Sequence, residues 1–266
     1  MKKIIGVWSL IFFLFSLNIS FPKDLSDKIG IDEQLGKTIP LDAVFYDSKG
    51  NEVTLKELIN KPTVIDFAYY KCTGICTPLM TEVADVMNRV DLKPGKDYQV
   101  ITISFDENEL PKDAAEKKSA MVNLLHSGIP TSSWWFLTGD SLNIKRVTDA
   151  AGFHFERRGN TFVHVGVLMF VSKDGKICRY LEPGFNFKGD FRILPFDFKM
   201  ALVDASQGHA IPVIDKALRY CFAYQPKNES YVLDVFKISG VSIVIIVTAL
   251  FFFVIKKPKK VSKKTT

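Results

Sequence analysis

Cys72 and Cys76 stand at C-x-x-x-C spacing in the stretch Tyr69-Tyr70-Lys71-Cys72-Thr73-Gly74-Ile75-Cys76-Thr77-Pro78. Two cysteines at this spacing have three uses. As thiolates they attack or exchange disulfides; as thiolates they also bind soft metals; as small apolar side chains they pack in a core or form a structural disulfide. The surroundings favour chemistry. An apolar run from Val64 to Tyr70 ends at Cys72, Gly74 offers a turn, and Thr77-Pro78 opens a helical pattern. Thr77 is the expected N-cap and Pro78 the expected first helical residue. The thiols then sit where a strand feeds a helix N-terminus, whose free N–H groups and dipole favour thiolate.

A third candidate lies far along the chain. Of the four histidines, His126, His154 and His209 sit in polar or loop-like settings and read as surface residues. His164 instead opens the apolar run Val165-Gly-Val-Leu-Met-Phe-Val171. A histidine buried there needs a partner, which is either a backbone group or a functional ligand set.

The elements that would position these residues follow from periodicity. Pro40–Tyr46 and Val53–Leu55 read as a hairpin around Asp47–Gly50, followed by a helical turn to Ile59. Pro62–Tyr70 is a strand whose continuous apolar character implies burial on both faces. Thr77–Val90 is an amphipathic helix with Leu79, Val83, Val86, Met87 and Val90 on one face. Strands are expected at Tyr98–Phe105, Trp134–Leu137, Phe162–Ser172 and Ile177–Leu181, and helices at Pro111–Leu125, Ser141–Ala151 and Leu194–Ala205. Strands alternating with helices predict an α/β domain with a mostly parallel central sheet and a final antiparallel hairpin at its edge. With a thiol pair at the head of a helix, this order resembles a thioredoxin-like fold. There is no G-x-G-x-x-G after a strand, no P-loop and no internal repeat.

The 266 residues carry a formal charge of +6, but its distribution matters more than its size. Six of the 35 basic residues follow the last apolar run, which leaves 29 against 29 acidic ones. The positive charge is therefore a membrane-topology signal, and nucleic acid is not an expected partner. Residues 1–20, with Lys2 and Lys3 before the apolar run Ile4–Leu17, read as a signal peptide or N-terminal anchor. Residues 236–255 hold an uncharged run long enough to span a bilayer, and the basic tail 256–266 follows. Basic residues stay on the cytoplasmic side. The expected location is a bacterial inner membrane, with residues from about 21 to 235 on the periplasmic side, where disulfides persist. Residues 207–235 form a juxtamembrane segment.

The chain resembles the Sco/SenC copper proteins in Tyr69-Tyr-Lys-Cys72-x-x-x-Cys76-x-Pro78, in the strand end Ser104-Phe-Asp106, and in His164 before an apolar strand and Asp174-Gly175. The resemblance covers roughly residues 38–206. Tyr220-Cys-Phe-x-Tyr-x-Pro226 followed by a span resembles a C-terminally anchored bacterial subgroup. Thr73-Gly74 stands where the family pattern has Pro-Asp, and Val163 where an acidic residue is common. The resemblance implies a thioredoxin-like domain binding copper, as Cu(I) or Cu(II), through Cys72, Cys76 and His164. It implies an assembly factor for the dinuclear copper centre of cytochrome c oxidase, which delivers copper, reduces the target's cysteines, or does both. Other copper or thiol-redox proteins are further partners of that kind. Two thiolates and an imidazole suit copper, whereas a structural zinc site wants a fourth ligand.

The competing reading is a metal-free thiol–disulfide oxidoreductase using Cys72 and Cys76, for which His164 is not required. A thiol peroxidase is a third; Thr73 is present for it, but no activating arginine is placed. The leading reading is a binding and transfer protein rather than a turnover enzyme. Cys178 is expected to be a buried strand residue, and Cys221 to pack between domain and span.

Overall fold

The computed structural model describes residues 29–72, 74–185, 189, 191–210, 222–225 and 230–233. The expected signal segment, the span at 236–255, the basic tail and Cys221 lie outside the described residues. Among the described residues no helix is long and apolar enough to cross a membrane.

The chain opens with a two-residue strand β1 (Gly30–Ile31), then a hairpin of β2 (Val44–Tyr46) and β3 (Glu52–Thr54), and a one-turn helix α1 (Leu55–Leu58). The hairpin turn is held by Asp47, whose Oδ1 accepts from Lys49 N and Asn51 N at 2.8 and 2.9 Å. Thr54 and Glu57 cap α1 reciprocally, satisfying two otherwise orphaned backbone N–H groups.

Next come β4 (Thr63–Ala68), α2 (Cys76–Arg89), β5 (Gln99–Ser104), α3 (Pro111–Val122), β6 (Trp134–Leu137) and α4 (Ser141–Ala151). Every residue of β4 and β5 is buried, as expected of strands covered on both faces, including the polar Asp66, Gln99 and Thr102. The rest is β7 (Phe153–His154), β8 (Glu156–Arg158), β9 (Thr161–Val163), β10 (Leu168–Val171), β11 (Ile177–Leu181), β12 (Gly184–Phe185), β13 (Phe191–Arg192), α5 (Pro195–Gln207), β14 (Phe222–Gln225) and β15 (Ser230–Leu233).

The central sheet has five strands in the order β11-β10-β4-β5-β6. The β4–β5 and β5–β6 pairs are parallel, while β10 is antiparallel to both β4 and β11. The sheet is thus mixed, with a parallel core of β4, β5 and β6 and, as expected, an antiparallel hairpin, β10–β11, at its edge. The cause of the reversal is local: the chain reaches β10 from the short β8–β9 hairpin rather than through a crossover helix, so it enters beside β4 in the opposite sense. Helix α5 lies along β10 and β11, and α3 lies along β6.

Two further expectations change in detail. Helix α2 begins at Cys76 after Ile75, with no side-chain cap, so Thr77 is inside the helix rather than its N-cap. The run Phe162–Ser172 is two strands, with residues 164–167 outside both. Ahead of the hairpin, β1 pairs with β7.

Candidate metal and thiol site

Cys72 leaves the end of β4, Cys76 opens α2, and His164 lies in the break between β9 and β10. Antiparallel pairing of Leu168 with Asp66 runs the His164 arm back past the end of β4. Gly166 lies on this path beside Leu79 of α2 and Phe191, where a Cβ would make ordinary contacts at 3.4 and 3.5 Å.

The three side chains converge. One donor atom from each of Cys72, Cys76 and His164 lies within 4.8 Å of the others. Cys76 Sγ is 3.2 Å from His164 Nε2. The other ring nitrogen, Nδ1, is 3.0 Å from the Val165 carbonyl. A carbonyl can only accept, so Nδ1 carries a proton and Nε2 faces the thiols. All three cysteines among the described residues are free thiols.

The thiols are unequal. A hydrogen bond from Cys76 is the main cause that holds the Cys72 pKa down at about 3, aided by His164, the Cys76 N–H and Tyr69 against the cost of burial. The Gly74 N–H also stands 3.2 Å from Cys72 Sγ. The same Cys72 thiolate, together with burial, pushes Cys76 strongly upward. Cys72 is therefore the thiolate of the pair and Cys76 its proton-bearing partner.

An aromatic shell limits water around them. The His164 ring centroid lies 4.9 Å from that of Phe105 and 6.1 Å from those of Tyr69 and Phe153. Burial, then the bond to Cys72, raises the Tyr69 phenol to about 12. A fully buried carboxyl, Asp66, lies beneath; burial raises it to about 7, with His164 and Thr102 opposing.

The donor set passes a test of fit for one soft metal ion. Three donors spaced evenly in a plane about 2.3 Å from one ion stand about 4.0 Å apart. The three atoms here, within 4.8 Å of one another, need only a small inward shift to close on one ion. Two sulfurs and one imidazole match copper, and no fourth His, Cys or carboxylate joins the group among the described residues, unlike a closed structural zinc site.

The SCO1/SenC family pattern matches residues 32–188. This chain belongs to the SCO1/SenC family. No curated protein matches it. Among solved structures, a candidate electron transfer protein from Aquifex aeolicus VF5 is similar at 27% identity, covering 67% of this chain and 97% of that one, with a TM-score of 0.57. ScoI of Arabidopsis thaliana, solved with copper bound, is similar at 18% identity, covering 64% and 98%, with a TM-score of 0.50. BsSco, described with a disulfide switch as a member of the Sco family of cytochrome c oxidase assembly proteins, is similar at 20% identity, covering 66% and 98%, with a TM-score of 0.50. The last two likenesses establish the thioredoxin-like Sco fold.

Within that SCO1/SenC fold, the structure brings together the three residues singled out from sequence and leaves the other histidines apart. His126 and His209 are exposed, and His154 faces Asp32 at 3.1 Å. Cys178 is buried in β11, where its thiol donates to the Lys176 carbonyl at 3.3 Å. Sequence reasoning missed Asp66, Tyr69 and Glu109. A lone carboxylate inside the apolar run Val64–Ala68 was the available signal for Asp66; nothing in the sequence pairs Glu109 with the cysteines.

Proposed function

We propose that this protein binds copper through Cys72, Cys76 and His164 and serves as an assembly factor for the dinuclear copper centre of cytochrome c oxidase. It delivers the metal, reduces the target's cysteines, or does both. The observation that carries this reading is the convergence of two thiols and one oriented imidazole in a chain of the SCO1/SenC family. Cys72 supplies a thiolate without external help, Cys76 releases a proton as it becomes a ligand, and Nε2 of His164 is already turned inward.

The location follows from the two charged ends. Lys2, Lys3 and the lysine tail after residue 255 support a location of the described domain outside the cytoplasm, by the positive-inside rule. A reporter that works only outside the cytoplasm is expected to function when fused near Gln225 and to fail when fused after Lys264.

The test of the copper reading is metal stoichiometry on the purified full chain, reduced and oxidised. The reduced chain is expected to take one Cu(I), and the Cys72–Cys76 disulfide form to take none, because binding needs deprotonated thiols. Equal, negligible copper in both states sinks the reading. The inequality of the thiols favours one second reading. A low-pKa Cys72 beside a protonated Cys76 also suits a metal-free thiol–disulfide oxidoreductase, with Cys72 as nucleophile.

A further inference from the structure

The acidic turn Asp106-Glu107-Asn108-Glu109, which follows β5, touches neither thiol, yet it holds both arms of the site. Glu109 is 3% exposed. Its Oε2 accepts from Tyr70 N at 2.7 Å and from Ser104 Oγ at 2.6 Å, and its Oε1 accepts from Lys71 N at 2.8 Å. Those are the two backbone amides that lead directly into Cys72. Neither finds a ladder partner, because β4 ends at Ala68. A buried carboxylate therefore replaces the missing strand neighbour, and charge-assisted bonds of this length are the strong kind.

The other end of the turn holds the histidine arm. Arg157, in the hairpin that ends one residue before His164, donates from Nη2 to Asp106 Oδ1 at 2.8 Å and to Glu107 Oε2 at 2.9 Å. Its guanidinium also lies 4.3 Å over the Phe162 ring. An exposed ion pair alone contributes little, but here two carboxylates and a ring face fix one planar group.

Resting on the metal and thiol reading above, we propose that the turn 106–109 is the bracket of the site. Glu109 is a positioning residue for the cysteine loop, and Arg157 a positioning residue for His164. Groups that orient ligands from outside the coordination sphere typically alter metal affinity by 10- to 100-fold when removed. The two halves make separable predictions. Glu109 acts on Cys72, which belongs both to the metal site and to the thiol pair. Arg157 acts on His164, which is a ligand in the metal reading but not one of the two thiols that form the disulfide.

The substitution Glu109→Gln keeps shape but not chemistry. All three partners donate hydrogen, and the amide NH2 cannot accept, so at least one N–H ahead of Cys72 loses its acceptor. The experiment uses the full-length chain as parent, Glu109→Gln, Arg157→Gln and Val147→Ala. Val147 is buried in α4, so its truncation destabilises the fold without touching the bracket. Two quantities are read: retention of Cu(I) against a competing chelator, and the Cys72–Cys76 disulfide equilibrium with glutathione. In the second, the two thiols lose two electrons and two protons to glutathione disulfide, giving two reduced glutathiones.

The expected pattern is a split. Glu109→Gln weakens Cu(I) retention by about 10-fold or more and shifts the disulfide equilibrium. Arg157→Gln weakens Cu(I) retention and leaves the disulfide equilibrium within about twofold of the parent. Val147→Ala moves neither beyond about twofold, although it lowers the melting temperature. The bracket is overturned if Glu109→Gln leaves the disulfide equilibrium unchanged, or if Val147→Ala reproduces its shift. A parent that binds no Cu(I) refutes the copper reading instead, and the disulfide arm still decides the role of Glu109.

Discussion

Cys76 Sγ and His164 Nε2 lie 3.2 Å apart although 88 positions separate them in the chain. Antiparallel pairing of β10 on β4 creates this meeting. The site therefore exists only in the folded protein, and its two halves can be removed one at a time.

The first prediction uses that separation. His164→Ala leaves Cys72 and Cys76 in place, so disulfide formation and exchange are expected to persist while copper retention falls. Cys72→Ser and Cys76→Ser are expected to abolish both. Copper stoichiometry and thiol titration on the three variants provide the check. Parental copper retention in His164→Ala would overturn the three-ligand site and put the oxidoreductase reading first.

The second concerns which sulfur reacts. The attacking species is the thiolate, and only Cys72 is held low, at about 3. In the metal-free chain, alkylation at pH 5 is expected to label Cys72 and spare Cys76. The main cause is the hydrogen bond from Cys76, so Cys76→Ala is expected to move the alkylation midpoint of Cys72 upward. Mass spectrometry of the labelled peptides reads both results. Equal labelling of the two cysteines at pH 5 contradicts the assignment.

Much of this was legible in the sequence because it depends on local rules. Trp134–Leu137, Ser141–Ala151 and Ile177–Leu181 lie where the sequence pattern places them. The C-x-x-x-C pair at a strand-to-helix turn and the buried setting of His164 are also local signals. The break at residues 164–167 was not legible. The stretch Phe162–Ser172 reads as one strand, and no local signal marks the interruption ahead of Leu168. The direction of β10 and the reach of Glu109 to Tyr70 and Lys71 are tertiary facts, which no periodicity encodes.

The third prediction tests a close approach in the frame. Gly152 ends α4 with φ +63°, and a Cβ there would stand 1.9 Å from the Asp32 carbonyl oxygen. The lead-in strand is bound at this point, with Asp32 N donating to Gly152 O at 2.8 Å. Gly152→Ala must therefore bear a left-handed backbone, at roughly 1–2 kcal/mol, and also displace the lead-in. A loss larger than the strain alone is expected in urea unfolding of the full chain. A loss no larger than the backbone strain alone would show that β1 does not dock on β7 in solution.

The last prediction concerns Asp66. Its side chain is fully buried among the central strands. The Thr102 hydroxyl reaches Oδ2 only at 3.4 Å, and Oδ1 has no hydrogen-bond partner. Burial raises its pKa from 3.8 to about 7, with the nearby His164 and the Thr102 hydroxyl pulling the other way. The sign follows from proton counting. Between those two values the folded protein holds a proton that the unfolded chain has released, so stability falls as pH rises. The contribution is fully present below pH 3.8 and is lost as pH rises through about 7. At 1.36 kcal/mol per unit, the scale is a few kcal/mol. Asp66→Asn has nearly the same shape and no titrating proton. The stability difference, variant minus parent, is therefore expected to rise from pH 4.5 to pH 8 and to favour the variant at the higher value. Urea unfolding of the metal-free, reduced chains at the two pH values reads it, and subtraction removes the carboxylates common to both. A difference that stays constant with pH would mean that Asp66 is charged in the folded protein, with a partner for its second oxygen.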